Sequence, residues 1–206
     1  MEVNSGAWEE DYTRRGILWG GVTHDLPELP LDSCVLELGC GNGKTLSSMI
    51  HRGWDVTAID FSPQAVSLSR VRCKSTSSCE FIVADAHHSP FKNTSFDAVF
   101  AIHMLGHLGD HDRKLMPCKL AQSLKRGGIL FFSDFSTDDF RCGSGYETEA
   151  ATFRRGTGII THYFSRQEVI DLFSNLTPVS IRIHQWPMRV RGKNLVRSEI
   201  KGVFVK

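Results

Sequence analysis

The stretch LELGCGNGK, residues 36–44, decides the fold of this chain. It places Gly39, Gly41 and Gly43 directly after a short apolar run and just before a stretch with helical spacing. Glycine suits such a position because a tight turn can require positive φ, and because a ligand can need to contact bare backbone. We therefore predict a strand, a ligand-binding glycine loop and a helix, in that order.

Two acidic residues indicate which ligand the loop takes. Asp60 ends the β-branched run WDVTAID, residues 54–60, where a carboxylate can accept hydrogen bonds from both ribose hydroxyls of an adenosine. Glu37 precedes the loop, where its carboxylate would repel the pyrophosphate of a dinucleotide but suits an ammonium group. S-adenosylmethionine carries an ammonium group, a sulfonium and a ribose, and it has no phosphate. The residues therefore favour S-adenosylmethionine over NAD.

The composition excludes several classes of protein. The 206 residues suit one domain, and 24 Lys plus Arg against 23 Asp plus Glu leave a net charge of +1, which argues against a protein that coats nucleic acid. There is no run of about 20 apolar residues for a membrane span, and no apolar run near the start for a signal peptide. The six cysteines form no CxxC pair. We expect a cytoplasmic protein with reduced thiols, no bound metal and no membrane association.

Strands alternate with helical stretches up to about residue 135, which indicates a parallel sheet buried on both faces. The last fifth of the chain differs. Ser165 and Glu168 form a capping box that opens a helix. The runs PVSIRIHQW and SEIKGVFVK follow, joined by the polar turn RVRGKN, and they predict a β-hairpin. The fold class is therefore α/β, with a mostly parallel sheet that ends in an antiparallel hairpin.

Five segments resemble, in order, the motifs of the class I S-adenosylmethionine-dependent methyltransferases. They are VLELGCGNGK (35–44), VTAIDFSPQAV (56–66), FIVADAHHSPF (81–91), FDAVFAIHMLGHL (96–108) and LKRGGILFFSDF (124–135). The resemblance implies a doubly wound, mostly parallel sheet of seven strands, as in other Rossmann-like methyltransferases, with the last strand reversed. It also implies an enzyme that transfers a methyl group from S-adenosylmethionine and releases S-adenosylhomocysteine.

The resemblance assigns the donor site residue by residue. Asp60 is the ribose acid, Asp85 would bond the adenine amino group, and Ala86 would line the adenine ring. The donor site predicted in this way comprises Glu37, Gly39, Cys40, Gly41, Asp60, Phe61, Asp85, Ala86 and Ile102.

We predict a single methyltransferase domain over residues 1–206, divided into four parts. Residues 1–30 form an N-terminal cap segment, 31–135 the donor-binding core, 136–164 an insert or lid, and 165–206 a C-terminal helix and β-hairpin. No secondary structure is predicted for residues 1–30 and 136–164, because neither shows a clear periodicity. Segments of that kind inside a domain are typical of functional loops.

The acceptor side is less clearly marked. His103 follows the fourth strand at the mouth of the donor pocket, and it is our candidate catalytic residue. His103, His107 and His111 are spaced by four, but Gly106 and Gly109 interrupt the helix that a metal site there would need. Three aromatic residues precede the first strand: Trp8, Tyr12 and Trp19. We expect them either to pack in the core or to form an aromatic wall of the site. The substrate-side candidates are Tyr12, Trp19, His107, Arg154 and His162.

Several functions stay open at this point. The leading one is methyl transfer to a small molecule at oxygen, sulfur, nitrogen or a carboxylate, by in-line displacement. The alternative acceptor is a wobble-uridine side chain of tRNA, since the hairpin turn carries Arg189, Arg191, Lys193 and Arg197. A third function is a non-catalytic module that binds an adenosyl ligand. We expect a monomer or a homodimer.

Overall fold

A computed structural model describes residues 2–21, 23, 25–74, 77–87 and 93–206 of the chain, so residues 88–91 of the third motif lie outside the described part. The strands are β1 (Cys34–Leu38), β2 (Asp55–Asp60), β3 (Cys79–Val83), β4 (Phe96–Ile102), β5 (Leu124–Phe135), β6 (Tyr146–Glu149), β7 (Thr152–Arg154), β8 (Ile160–His162), β9 (Thr177–Val190) and β10 (Lys193–Val205). The α-helices are α1 (Glu2–Arg15), α2 (Lys44–His51), α3 (Pro63–Cys73), α4 (Asp110–Ser123) and α5 (Arg166–Leu172). A short 3₁₀ helix covers Leu105–His107.

Seven strands form one sheet in the order β3-β2-β1-β4-β5-β10-β9. Strands β1 to β5 pair in parallel, whereas β10 pairs antiparallel with both β5 and β9. The predicted seven-stranded sheet with a reversed last strand is therefore confirmed. The hairpin turn is tighter than predicted, because β9 and β10 leave only Arg191 and Gly192 between them, both with positive φ.

The two faces of the sheet bury two separate apolar clusters. Alternate residues of the central strands point to opposite faces, as the pleat requires. Leu36 of β1 packs with residues of α4 and α5, such as Leu120 and Val169. Val35, the next residue along β1, packs with residues of α2 and α3, such as Met49. Helices therefore cover both faces of the central sheet, and β1 and β4 are mostly apolar for that reason.

Two helices begin at capping residues, and the capping box predicted at Ser165 and Glu168 is one of them. Ser62 Oγ accepts a hydrogen bond from the Ala65 N–H at 2.9 Å, and Pro63 is the first residue of α3. At α5, both hydrogen bonds of the capping box between Ser165 and Glu168 are present. Helix α4 begins at Asp110, with Asp110 and Asp112 in its first turn.

The prediction of no secondary structure in residues 1–30 and 136–164 is wrong for both segments. Helix α1 occupies much of the first, and its mostly polar sequence gives no amphipathic signal. The second segment forms an antiparallel sheet in the order β6-β7-β8, whose strands have only three or four residues. Strands that short do not show a periodicity that a sequence pattern can reveal.

Two further expectations can be compared with the structure. All six cysteines are free thiols. Among the described residues, we find no helix with the length and apolar character needed to cross a membrane.

Candidate active site

The candidate site lies at the edge of the sheet where β1, β2, β4 and β5 end. The chain proceeds from β1 outward to β2 and β3 on one side, and through β4 and β5 on the other. Open α/β sheets bind ligands at such a switch point, at the carboxyl ends of the strands. The glycine loop after β1, Asp60 at the end of β2 and His103 after β4 meet at this edge.

The glycine loop has the backbone conformation that its sequence predicts. Gly39, Gly41 and Gly43 all have positive φ, at 71°, 54° and 74°. A Cβ at Gly41 would lie 2.6 Å from the Tyr12 hydroxyl oxygen, so a larger residue there would collide with the segment that covers the loop. Ser69 Oγ of α3 donates to the Gly41 carbonyl at 2.9 Å, and this hydrogen bond fixes the loop against α3.

Asp60 is buried next to this loop, and it orients the backbone on both sides. Its Oδ2 accepts from the Gly41 N–H at 2.9 Å and its Oδ1 from the Ser62 N–H at 3.0 Å. Burial raises the pKa of Asp60 to about 6, although these backbone donors favour the ionised form. Each carboxylate oxygen can accept more than one hydrogen bond, so Asp60 can still accept from ribose hydroxyls.

Glu37 is a buried carboxyl whose Oε2 has no hydrogen-bond partner among the described residues. It is 4% exposed, and burial together with the nearby Asp60 raises its pKa to about 8. A buried charge without a partner is costly, whereas an ammonium group would provide both a hydrogen bond and the opposite charge. The unpartnered Glu37 Oε2, the glycine loop with its positive φ values and the carboxylate of Asp60 therefore fit S-adenosylmethionine.

The predicted adenine residues lie after β3. Asp85 Oδ1 accepts from the backbone N–H of His87 at 2.9 Å and lies 2.8 Å from His87 Nδ1, which fixes the carboxylate in one orientation. Ala86 is half-buried and packs against the core. The role of His87 is not visible in the sequence, since it depends on a turn that brings the imidazole back to Asp85.

The other three predicted donor-site residues differ in exposure. Phe61 is exposed, Ile102 is half-buried at the end of β4, and Cys40 is buried in the glycine loop. Cys40 Sγ lies 3.7 Å from Ser69 Oγ, and burial raises the pKa of its thiol. Cys40 thus packs as a small apolar side chain within the loop.

Helix α1 lies over the donor site. Its Glu9 accepts a short hydrogen bond from Ser62 Oγ, directly beside Asp60. Tyr12 is 5% exposed and stacks on Trp8, with ring centroids 5.9 Å apart. Trp8 in turn contacts the His107 ring edge-on at 4.9 Å. The cap segment therefore closes the space between the glycine loop and the 3₁₀ helix.

Trp19 is outside helix α1, and its backbone contacts the glycine loop. Its N–H donates to Asn42 Oδ1 at 3.1 Å and its carbonyl accepts from Asn42 Nδ2 at 2.8 Å. The indole itself is 53% exposed. The indole therefore does not share a helical face with Trp8 and Tyr12.

His103 lies between two carboxylates at the mouth of the site. It has positive φ (52°), its Nε2 is 3.1 Å from Glu199 Oε1, and its Nδ1 is 3.8 Å from Asp134 Oδ1. Burial lowers the pKa of the imidazole, but the two carboxylates outweigh it and raise the pKa to about 9. The ring also stacks on Phe135 at 4.6 Å. His103 is therefore held protonated at neutral pH in the absence of ligands.

The remaining substrate-side candidates lie in different environments. His107 Nδ1 donates to the Ile160 carbonyl at 2.8 Å, and burial lowers its pKa. His162 is buried, with its ring nitrogens 2.8 Å from Thr152 Oγ1 and from Glu168 Oε1. Arg154 is exposed at the end of β7. The structure thus brings Tyr12 and His107 together through Trp8, whereas the hydrogen bonds of His162 tie β8 to β7 and α5.

The two carboxylates that flank His103 are not among the residues predicted from the sequence. Asp134 is fully buried and accepts from the Gly106 N–H at 2.8 Å, which holds the 3₁₀ helix against β5. Glu199 reaches the site because it pairs with Phe135 across β10 and β5. A polar residue near the end of an apolar strand was a visible signal for Asp134. Glu199 had none, since only the register of the hairpin places it there.

The basic residues of the hairpin do not act as one group. Arg189, Arg191 and Lys193 are exposed at its tip. Arg197 is instead mostly buried: its Nε donates to Asp139 Oδ2 at 2.6 Å, and its guanidinium lies 4.5 Å from the Phe135 ring centroid. The prediction that the hairpin turn carries all four is therefore wrong for Arg197, which lies within β10.

The histidines spaced by four do not converge. His103 follows β4, whereas His107 ends the 3₁₀ helix and His111 lies in α4. Within the part of the chain that the structure describes, we find no group of three His, Cys, Asp or Glu side chains that could hold a metal ion.

Comparison with known proteins is consistent with this geometry. A family model described as "Methyltransferase domain" matches residues 36–132. The chain is 38% identical over 175 residues to a ubiquinone biosynthesis O-methyltransferase of Xanthomonas oryzae, covering 81% of this chain and 72% of that protein. It is 30% identical over 162 residues to the tRNA N(3)-cytidine methyltransferase METTL2 of Gallus gallus, covering 73% and 44%.

One solved structure has a closely similar fold. It is a protein of Methanosarcina mazei described as a SAM-dependent methyltransferase, with a TM-score of 0.72 and 22% identity. The match covers 86% of this chain and 94% of that one.

Proposed function

The chain belongs to the class I S-adenosylmethionine-dependent methyltransferases, and we propose that its methyl acceptor is a small molecule with an oxygen, sulfur, nitrogen or carboxylate nucleophile. The observation that carries this proposal is the enclosure of the acceptor side. Helix α1 covers the glycine loop with the buried Tyr12, and the sheet β6-β7-β8 contacts the 3₁₀ helix through the hydrogen bond from His107 to Ile160. A site closed by two such elements suits a small acceptor.

The donor would be held by residues at the ends of β1, β2 and β3. Asp60 would accept from the ribose hydroxyls, Glu37 from the ammonium group, and Asp85 from the adenine amino group. The bound donor supplies a methyl group already activated by the sulfonium. What remains for the protein is to align the nucleophile with that methyl group and to exclude water. The cap formed by α1 serves that exclusion.

His103 would act on the acceptor as a proton-accepting group. An acceptor hydroxyl or thiol has to lose its proton during the transfer, and a histidine can take it only in its neutral form. Because the pKa of His103 is raised to about 9, its neutral fraction is small at pH 7, reaches one half near pH 9 and levels off only above that pH. We therefore expect activity on such acceptors to rise with pH towards about 9.

A transfer RNA acceptor is the second candidate. Two observations favour it: the exposed Arg189, Arg191 and Lys193 at the hairpin tip, and the similarity to a protein named as a tRNA methyltransferase. Three phosphate contacts would give a log–log salt slope of about −2 for a single strand. The net charge of +1 disfavours this acceptor.

One experiment separates the two acceptors. The protein is incubated with methyl-labelled donor and, separately, with a small-metabolite pool and a tRNA pool. We expect label in the metabolite pool, unchanged in the double variant Arg191→Glu with Lys193→Glu and in the control Arg126→Glu, which lies near the opposite end of β5. Label in tRNA that the double variant abolishes, while S-adenosylhomocysteine still binds, would replace the small-molecule acceptor by tRNA.

A further inference from the structure

Three buried polar atoms without hydrogen-bond partners gather around the ring of Phe135, at the carboxyl end of β5. They are Arg141 Nη2, Tyr163 Oη and His103 Nδ1, and each lacks a partner among the described residues. The Arg141 guanidinium lies 4.0 Å from the Phe135 ring centroid, and the rings of His103 and Tyr163 lie 4.6 and 6.4 Å away. Native proteins seldom leave buried donors unpaired, because each then loses its hydrogen bonds to water.

The unpartnered groups are held in place by other contacts. Arg141 Nε donates to Asp139 Oδ1 at 2.9 Å, which leaves Nη2 free to donate elsewhere. Tyr163 is 0% exposed, and its ring packs against Phe153 as well as Phe135. The side chains are thus fixed before any ligand arrives, as expected for a preorganised site.

The carboxylates of this region are already engaged. Asp139 is shared by two guanidiniums, because its other oxygen accepts from Arg197. Glu199 pairs with His103, and Asp134 accepts from the backbone N–H groups of Gly106 and Phe135. Arg141 therefore keeps one unpaired donor, Nη2, and it shares the negative charge of Asp139 with Arg197.

We propose that Arg141 and Tyr163 form a subsite that binds a carboxylate group of the methyl acceptor, beside His103. This inference rests on the proposed small-molecule function and deepens it, since it names the chemical class of the acceptor. Arg141 Nη2 and Tyr163 Oη donate to the carboxylate oxygens. His103 then lies next to the bound acceptor rather than at its recognition group.

A carboxylate fits this subsite better than other small polar groups. Arginine carries only hydrogen-bond donors, and a phenol hydroxyl donates strongly to an anionic oxygen. A carboxylate offers only acceptors and brings the charge that Arg141 lacks. A carboxamide of the same shape brings an NH₂ group, which would meet one of the donors and lose that hydrogen bond.

Matched pairs of probes test the proposal with the full chain saturated by S-adenosylhomocysteine. The pairs are benzoate with benzamide, phenylacetate with phenylacetamide, and hexanoate with hexanamide, measured by calorimetry or saturation-transfer NMR. We expect at least one carboxylate to bind about 10-fold or more tightly than its amide, the ratio expected for a charge-assisted hydrogen bond. Equal binding within every pair, or binding of no carboxylate, would overturn the proposal.

Two variants locate the binding. Arg141→Gln and Tyr163→Phe should each weaken the carboxylate probe about 10-fold or more and weaken the amide less, so that the preference for the carboxylate falls in both variants. The matched controls are Arg126→Gln and Tyr146→Phe, since both residues are exposed and Tyr146 belongs to the same small sheet as Tyr163's neighbours. Carboxylate binding that neither variant weakens would place the subsite elsewhere and reject the proposal.

Binding of S-adenosylhomocysteine distinguishes a failure of the subsite from a failure of the proposed function. If S-adenosylhomocysteine binds every variant and the carboxylates bind none, the subsite is wrong while the methyltransferase site stands. If S-adenosylhomocysteine does not bind the unmodified protein, the proposed function fails, and the subsite fails with it. A Tyr163→Phe protein that keeps its melting temperature and its donor affinity but loses carboxylate selectivity supports the subsite directly.

Discussion

The ion pair between His103 and Glu199 makes a quantitative prediction about the pKa of the imidazole. In the present structure, His103 Nε2 lies 3.1 Å from Glu199 Oε1. The change is Glu199→Gln, which keeps a side-chain oxygen near Nε2 but removes the negative charge of Glu199. Asp134 remains on the other side at 3.8 Å. We therefore expect the pKa of His103 to fall from about 9 towards its ordinary value without reaching it.

The size of the shift follows from the exposure of the pair. The His103 side chain is 34% exposed, so water screens the attraction between His103 and Glu199. The whole rise in the pKa of His103 therefore cannot be converted into an interaction energy for this pair. A hydrogen bond between charged groups in such a setting contributes about 1.5 kcal/mol. One pKa unit corresponds to about 1.4 kcal/mol, so we expect the pKa of His103 to fall by about one unit.

The same change alters stability in a defined pH range. A histidine whose pKa is raised on folding stabilises the protein fully below its unfolded pKa of about 6.5. That stabilisation is lost as the pH rises through about 9. Glu199→Gln should therefore lower the free energy of unfolding at pH 6 by about 1.4 kcal/mol and by much less at pH 10.

Two measurements check this prediction. An NMR titration of the His103 ring reports its pKa directly, and urea unfolding at pH 6 and pH 10 reports the stability difference. Glu80→Gln, on the strand at the far edge of the sheet, is the control and should change neither. A His103 midpoint that stays near 9 in Glu199→Gln would refute the argument, because it would mean that Glu199 does not hold the proton on the imidazole.

Three further predictions concern the donor site. Asp60→Ala should weaken S-adenosylhomocysteine binding by about 1.5–3 kcal/mol, because it removes a charged hydrogen-bond acceptor. Calorimetry measures this loss, and Asp55→Ala is the control because Asp55 is exposed. Gly41→Val should abolish that binding, since φ is 54° there and a Cβ would meet a tyrosine hydroxyl at 2.6 Å, whereas Gly156→Val, in open space, should not. Because the pKa of Glu37 is about 8, S-adenosylmethionine should displace a proton from it at pH 7. Calorimetry in buffers of different ionisation enthalpy detects that proton, and Glu37→Gln should release none.

The conformation of the glycine loop and its proximity to Asp60 could be predicted because their determinants are local in sequence. Gly39 and Gly41 follow β1 without a gap, and Asp60 ends the next strand. Parallel strands place their carboxyl ends at one edge, so the order of the motifs already determines their proximity. The positive φ values and the hydrogen bond from Gly41 to Asp60 agree with that prediction.

The two covering elements could not be predicted from periodicity. Helix α1 is stabilised by specific contacts, such as the hydrogen bond from Ser62 to Glu9, rather than by an apolar face. Strands β6 to β8 are too short to show alternation. Both elements depend on tertiary contacts, which override weak local preferences.

The acceptor side depends on pairing between distant parts of the chain. Strand β10 is antiparallel to β5, so the residues that precede Glu199 along β10 extend beyond the carboxyl end of β5. That reversal brings Glu199 to His103 and Arg197 to Asp139, at the edge where the donor-binding loops end. If β10 were parallel to β5, its early residues would lie at the opposite end of the sheet. The reversed last strand therefore brings Glu199 and Arg197, from the first half of β10, to the acceptor side.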